Sequence, residues 1–330
     1  MTLLKIENLK VQFQVSKKTV YAVNSSSFSL EEGETIGIVG ESGSGKSVSM
    51  LSIMQLLPKP PICKVGGRVI FRGKDLLLSN NSEMSRIRGR EIAMIYQDPG
   101  NSLNPVLRIG TQIMEALEWH LGKGRVEAKL RTIKILEDVG ISDARSRIND
   151  YPFQFSGGMC QRVMIALALS CDPKLLIADE PTTSLDVTIQ SQIIELIKNL
   201  RDKTGMSVIW VTHDLSVISG LADRILVMYG GNIVEVAPVD KLYSGPCHPY
   251  TKKLLAAIPR LDVVAERLEP ILGVPPNMEA EPVNCPFYKR CEFKIERCYY
   301  EKPELCNIGD DHLVACWVDI KKVMKNDKRK

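Results

Sequence analysis

Long apolar runs are missing from this 330-residue chain, and no stretch approaches the ~18 residues needed to cross a bilayer. The first residues, MTLLKIENLK, reach charge at Lys5 and Glu7 without an apolar segment or a small-residue cleavage site, which argues against a secretory leader. The expectation is a cytosolic chain that reaches any membrane process through partner proteins. An excess of one charge is also missing. The net charge of +4 is too weak to argue for nucleic acid, and the basic end Lys321–Lys330 reads as a solvated tail. There is no internal repeat and no low-complexity tract. What remains is ordinary for a globular protein, 44% hydrophobic and 25% charged. The length suits one large domain with an appendage, or two modest ones, and a core of that size needs no staples.

The first three quarters alternate short β-branched runs with helical patterns. Residues 34–40 (ETIGIVG), 91–97 (EIAMIYQ), 174–180 (KLLIADE), 207–213 (SVIWVTH) and 224–231 (RILVMYGG) read as strands. Their unbroken apolar stretches suit a parallel sheet covered on both faces. Val187 to Arg201 reads as a helix, giving an α/β layer pattern. From Pro99 to Leu169 no buried strand is apparent, and GTQIMEALEWHL and EAKLRTIKILEDVG show helical spacing, so a mostly helical insertion is expected there. After about Leu261, prolines 270, 275, 276, 282 and 286 and a crowd of cysteines mark a loop-rich appendage.

GESGSGKS, Gly40–Ser47, fits G-x-x-x-x-G-K-[ST] in full, after a predicted strand and opening a predicted helix. Its glycines allow a tight turn that points backbone N–H groups at phosphate oxygens, and the helix start adds its positive dipole end. Lys46 would reach the β- and γ-phosphates and the Ser47 hydroxyl would ligate Mg²⁺. LLIADE places Asp179 and Glu180 at the end of an apolar strand. One acid there can hold the metal and the next can polarise an attacking water. His213 ends the following apolar strand and is the candidate γ-phosphate contact.

FSGGMCQR, Phe155–Arg162, resembles the LSGGQ signature of the nucleotide-binding subunits of ABC transporters, with Met159 in place of the usual Gln. The resemblance covers about residues 1–260 and implies a P-loop NTPase of the ABC type, with an N-terminal β-subdomain and a helical subdomain over about 98–170. It implies that Ser156 and Gly158 contact the ATP held by a second subunit. Gln97 matches the Q-loop residue that senses Mg²⁺, Ser184, Leu185 and Asp186 match the D-loop, and Glu180 and His213 match the catalytic glutamate and switch histidine. Catalysis is thus expected from Glu180, His213, Lys46 and Gln97, and magnesium ligation from Ser47, Gln97 and Asp179. Nucleotide contacts are expected from Gly40, Ser42, Gly43, Ser44, Gly45 and Val48 of the loop and its helix, and from Phe13 stacking on adenine, with Tyr21 as the runner-up. Asn101–Pro105 is the candidate surface for a coupling helix.

CHPYTKKLLAAIP, Cys247–Pro259, followed by GVPPN and CPFYKRC, is similar to the C-terminal region of dipeptide and oligopeptide importer ATPases. The resemblance implies ATP hydrolysis coupled to peptide import, a second ATPase subunit (identical or a paralogue), two transmembrane permease subunits and, indirectly, a peptide-binding protein. It implies a peripheral position on the cytoplasmic face of a bacterial or archaeal membrane and no nucleic-acid partner. Import of nickel or another small solute, or a soluble ABC ATPase acting on DNA or ribosomes, are the alternatives. Against the DNA-repair type, about 110 residues separate Ser47 from Ser156, without sustained heptads.

In the 261–330 appendage the spacing Cys285-x5-Cys291-x6-Cys298-x7-Cys306-x9-Cys316 lacks the tight pairs usual for zinc. Iron–sulfur, zinc and metal-free thiols are all admissible, and the wide gaps suit a cuboidal cluster better. The importer resemblance implies Cys285, Cys291, Cys298 and Cys316 as [4Fe–4S] ligands, with Cys306 extra and the cluster mainly structural.

Overall fold

The computed structural model describes residues 1–97, 102–183, 186–258 and 271–327, with side chains described as far as 323. In chain order it contains β1 (Thr2–Val15), β2 (Lys18–Glu31), β3 (Thr35–Val39), α1 (Lys46–Ile53), β4 (Cys63–Phe71), β5 (Lys74–Asp75), α2 (Asn81–Ile87) and β6 (Ile92–Ile95). There follow α3 (Ile109–Leu121), α4 (Arg125–Asp138), α5 (Ala144–Arg147), α6 (Gly157–Leu169), β7 (Leu175–Asp179), α7 (Val187–Thr204) and β8 (Ser207–Thr212). The chain continues through α8 (Leu215–Ile218), β9 (Arg224–Tyr229), β10 (Asn232–Pro238), α9 (Val239–Ser244) and α10 (Pro249–Ala256), then α11 (Arg297–Tyr300), β11 (Cys306–Asn307), β12 (Leu313–Val314) and α12 (Ile320–Asp327).

Two units divide these elements, one made of Met1–Leu30, Thr35–Leu77 and Thr212–Lys330, the other of Glu31–Glu34 and Leu78–Val211. The first unit holds an antiparallel ribbon in the order β2-β1-β4-β5. Leu4 and Ile6 of β1 are buried, then Leu9 and Val11, so the buried positions change parity along one strand. A register shift between Glu7 and Lys10, with Asn8 at φ 50, inserts the extra residue that keeps the apolar face inward. The same unit carries strands in the order β11-β12-β10-β9-β3. All five residues of β3 are buried, and β3 runs parallel to β9, as the apolar runs suggested.

The cysteine-rich tail joins that sheet. β12 pairs antiparallel with β10 through Glu235 with Val314 and Val236 with Leu313. The segment also packs against the rest of the unit. Phe287 is buried, and its ring lies 5.1 Å from Tyr229 and 5.4 Å from Tyr250, both also buried. Beneath this cluster the Glu235 carboxylate accepts the N–H of Cys247 at 2.6 Å and of His248 at 3.0 Å, and its Oε1 lies 2.6 Å from His312 Nε2.

The second unit holds the parallel strands β8, β7 and β6, with every residue of β7 and β8 buried. The insertion is helical as expected. In α3 the buried residues Ile109, Ile113, Met114 and Leu117 recur at helical spacing on one face. Helix α7 starts on Asp186, whose carboxylate accepts the Ile189 N–H at 2.9 Å, and ends on Gly205 at φ 68, with Arg201 and Lys203 in its last turn.

His248 caps α10. Its Nδ1 accepts the Tyr250 N–H at 3.1 Å, and burial pushes its pKa down to about 4 from an ordinary 6.5, against the opposing pull of Glu235. The unfolded chain therefore takes up this proton first as pH falls. The contribution is intact above the unfolded value and is lost as pH drops toward the folded one. At about pH 5 the loss is on the order of 2 kcal/mol. His248→Asn keeps a cap acceptor without the titration, so its urea-unfolding free energy should fall less between about pH 7 and 5 than that of the natural chain. Parallel losses in both proteins would show that His248 is not held neutral.

Candidate nucleotide site and cysteine cluster

The glycine-rich turn after β3 is a backbone cradle. Gly45, the residue before α1, sits at φ 97, and a Cβ there would lie 2.5 Å from the Ala22 carbonyl oxygen. At Gly40 a Cβ would lie 2.1 Å from the Met228 carbonyl oxygen. Both positions therefore demand glycine for space, and Gly45 for its left-handed backbone as well. Lys46 is buried, and its ammonium donates to the carbonyls of Gly40 at 2.7 Å and Glu41 at 3.1 Å, closing the loop on itself. The start of α1 has no side-chain cap, and the buried Ser44 hydroxyl has no hydrogen-bond partner among the described residues. An uncapped helix start and an orphaned buried hydroxyl suit an anion with several oxygens. Ser47 and Val48, in the first turn of α1, are half-buried, and Ser42 and Gly43 at the turn's tip are exposed.

The loop abuts the ribbon at Ala22, the chain neighbour of Tyr21, and the Tyr21 N–H donates to the Met278 carbonyl at 2.8 Å. Phe13 lies on β1 opposite Cys63 of β4, and both aromatics are half-buried. His213 follows β8 and is exposed, just ahead of Asp214, whose carboxylate caps α8.

In the second unit, Asp179 is buried at the end of β7 and Glu180 follows at φ 48, a left-handed backbone that costs a non-glycine residue on the order of 1 kcal/mol. The Glu180 N–H donates to Val211 O at 2.9 Å, and its Oε2 accepts Gln97 Nε2 at 3.1 Å and Thr183 Oγ1 at 3.0 Å. Two candidates 83 residues apart in sequence are thus brought together, and Thr183 joins them. The motif reading missed Thr183, although its place three residues after Glu180 was open to view.

Ser156 is exposed and caps α6, accepting the Met159 N–H at 3.4 Å, while Gly157 is exposed and Gly158 half-buried beside Ile189. Gln161, buried in the same helix, donates to the Pro181 carbonyl and so ties the signature helix to the residue after Glu180. Asp186 spends one carboxylate oxygen capping α7. Ser184 and Leu185, and Asn101 of the expected coupling surface, lie outside the described residues.

The tail brings together four of its five cysteines. Cys285 and Cys298 are buried, Cys291 and Cys316 half-buried, and the Cys285 N–H donates to Cys298 O at 3.2 Å. Burial pushes the Cys285 thiol up to about 12 and Cys291 to about 11, and the neighbouring cysteines add to both shifts. Cys316 is raised in the same way, by burial first and by Cys298 among its neighbours. Cys306 takes no part in these shifts and lies exposed on β11. The backbone N–H of Val318 donates to the Cys316 sulfur at 3.5 Å. Such a donor favours the thiolate, against the effect of burial. A tetrahedral zinc with Zn–S bonds of about 2.3 Å holds its sulfurs about 3.8 Å apart. Among the described residues no three of these sulfurs lie within 4.8 Å of one another.

One further group of ligand-type side chains escaped the sequence reading. Glu235, Cys247 and His312 are buried with ligand atoms within 4.8 Å of one another. Donors already surround the Glu235 carboxylate, which accounts for its burial without a metal.

Comparison with known proteins agrees with this geometry. Residues 23–183 match the ABC transporter family, and residues 234–298 match the oligopeptide/dipeptide transporter C-terminal region. The dipeptide transport ATP-binding protein of Bacillus subtilis is 47% identical over 96% of this chain and 94% of its own length. The oligopeptide transport ATP-binding protein of Haemophilus influenzae is 45% identical over 97% of this chain and 98% of its own. Among solved structures, an ATP-binding cassette captured as a dimer in a post-hydrolysis state with ADP and Pi superposes with a TM-score of 0.64 at 28% identity, covering 72% of this chain and 98% of that one. A subunit of an ABC transporter complex from Clostridium perfringens gives 0.62 at 25% identity, covering 74% of this chain and 91% of that one. A glycine-built phosphate loop, an exposed signature at a helix start and a tail of the matching kind meet in one sequence, and the chain belongs to the ATP-binding subunits of ABC transporters, in their oligopeptide/dipeptide branch.

Proposed function

We propose that this subunit binds MgATP and hydrolyses it to energise the import of di- or oligopeptides, working at the cytoplasmic face of a membrane with a second ATPase subunit and two permease subunits. The observation that carries the catalytic reading is the Glu180 carboxylate held by Gln97 and Thr183 at a strained strand end. A carboxylate fixed in this way can orient a water for attack on the γ-phosphate and accept its proton. Lys46 and the N–H groups of Gly40–Val48 bind the phosphates, and His213 meets the γ-phosphate. Phe13 or Tyr21 stacks on adenine. Ser47, Asp179 and Gln97 would hold Mg²⁺, which supplies charge neutralisation on the phosphate oxygens. Exposure of Ser156 and Gly157 supports a role for Ser156 and Gly158 toward a nucleotide on a facing subunit, and the D-loop match supports the same for Asp186. The peptide substrate rests on the relatives' transport roles and on the matched C-terminal region.

Cys285, Cys291, Cys298 and Cys316 would hold a [4Fe–4S] cluster, which supplies cross-links to a segment with few buried apolar residues. The four cysteines act on one another's thiols as neighbours, and the wide gaps in sequence support this reading over zinc.

Glu180→Gln should lower the turnover of the assembled transporter by about 10²–10⁴-fold while ATP stays bound, read by phosphate release and by retained nucleotide. Turnover near that of the natural protein would remove Glu180 from its role. For the tail, iron per chain in anaerobically purified protein is the measurement. Cys298→Ser should lose iron and the visible absorbance, and Cys306→Ser should keep both. Iron-free natural protein, or zinc in its place, would sink the cluster.

A further inference from the structure

Glu41, the second residue of the phosphate loop, is not specified by the loop motif, yet every polar group it has is tied down. Its N–H donates to the Tyr250 hydroxyl at 2.8 Å, and its C=O accepts Lys46 Nζ at 3.1 Å. Its carboxylate is gripped by Arg290, with Nη1 to Oε2 at 2.6 Å and Nη2 to Oε1 at 3.0 Å. That guanidinium is only 4% exposed. Its other bonds run to the Tyr229 hydroxyl at 3.2 Å, Leu272 O at 3.0 Å and Ile271 O at 2.8 Å. Five N–H donors and five bonds leave none idle. A two-pronged guanidinium–carboxylate pair fixes angle as well as distance, and burial of its Arg290 half limits screening by salt.

The partners lie far apart in sequence. Tyr229 ends β9, Tyr250 lies on α10, and Arg290 lies in the cysteine-bearing tail, 249 residues from Glu41. Other parts of the tail approach the loop too. Pro275, Pro276 and Met278 line a cavity of about 160 Å³ together with Ser42, Gly43 and Ser44.

We propose that Arg290 is a positioning residue for the phosphate loop, and that the tail thereby sets the subunit's affinity for nucleotide. The inference rests on the reading of Gly40–Ser47 as the triphosphate site. Lys46 has two tasks there. In this structure it bonds the Gly40 and Glu41 carbonyls, whereas a bound triphosphate competes for the same ammonium. When Lys46 turns to phosphate, Arg290 and Tyr250 are what keep Glu41 in place, so the loop's N–H groups stay convergent. Arg290 also cancels a carboxylate that would otherwise stand unpaired beside a polyanion.

The test uses the full-length chain and MgATP, with Kd measured directly, and the assembled transporter, with KM and kcat measured separately. Lys46→Ala sets the level of lost binding. Arg290→Ala should raise the Kd and KM for ATP at least about tenfold and leave kcat at saturating ATP within about twofold. Arg290→Lys, which keeps the charge and loses the fork, should recover only a minor part. If Arg290→Ala does not fold, Glu41→Gln carries the test, because it leaves the bonds of Arg290 to Ile271, Leu272 and Tyr229 in place. It too should weaken binding. Unchanged or tighter ATP binding in Glu41→Gln overturns the positioning role, as does a fall in kcat at constant KM in Arg290→Ala. A natural chain that binds no better than Lys46→Ala overturns the loop reading itself.

Discussion

A turn that gathers backbone N–H groups at one point has to be braced, because its own dipoles repel. In this chain the brace is ionic. The Lys46 ammonium draws the Gly40 and Glu41 carbonyls to one side of the loop, and the buried Arg290–Glu41 pair anchors the same peptide from outside. The constraints on Gly40 and Gly45 follow from this tight closure, since neighbouring carbonyls leave no room for a Cβ at either position. Much of the first unit serves this brace: β9 supplies Tyr229, α10 supplies Tyr250, and Phe287 packs the two rings together.

The second unit treats its carboxylate differently. Glu180 carries a backbone strain that a strand end would normally avoid, and the gain is a carboxylate with one oxygen held by two donors. The signature helix is joined to the same stretch through Gln161 and Pro181, so the residue after Glu180 is linked to the helix whose first turn is exposed.

Much of this was legible in the sequence because it is local. Strands β3, β7, β8 and β9 have unbroken apolar centres since they are buried on both faces, and the helical insertion shows its period in α3 and α4. The phosphate loop and the signature are contiguous motifs, so spacing sufficed. What stayed hidden depends on residues far apart in sequence. Nothing near Glu41 hints at Arg290, and nothing near Glu235 hints at His312, 77 positions on. The bulge in β1 hid that strand's alternation, and β12 is two residues long, too brief for any periodicity to show. The tail looked poor in core residues because its main contribution, Phe287, packs against aromatics from the catalytic part of the chain.

That two-residue strand has a consequence for life in a crowded cell. β10 pairs with β9 on one side, with a register shift between Ile233 and Glu235, so its other side would offer a template to an unfolded neighbour. β12 occupies part of it, and β11 closes the sheet with Cys306 and Asn307, both exposed. The rim left to solvent is thus two residues long, a short template for another chain.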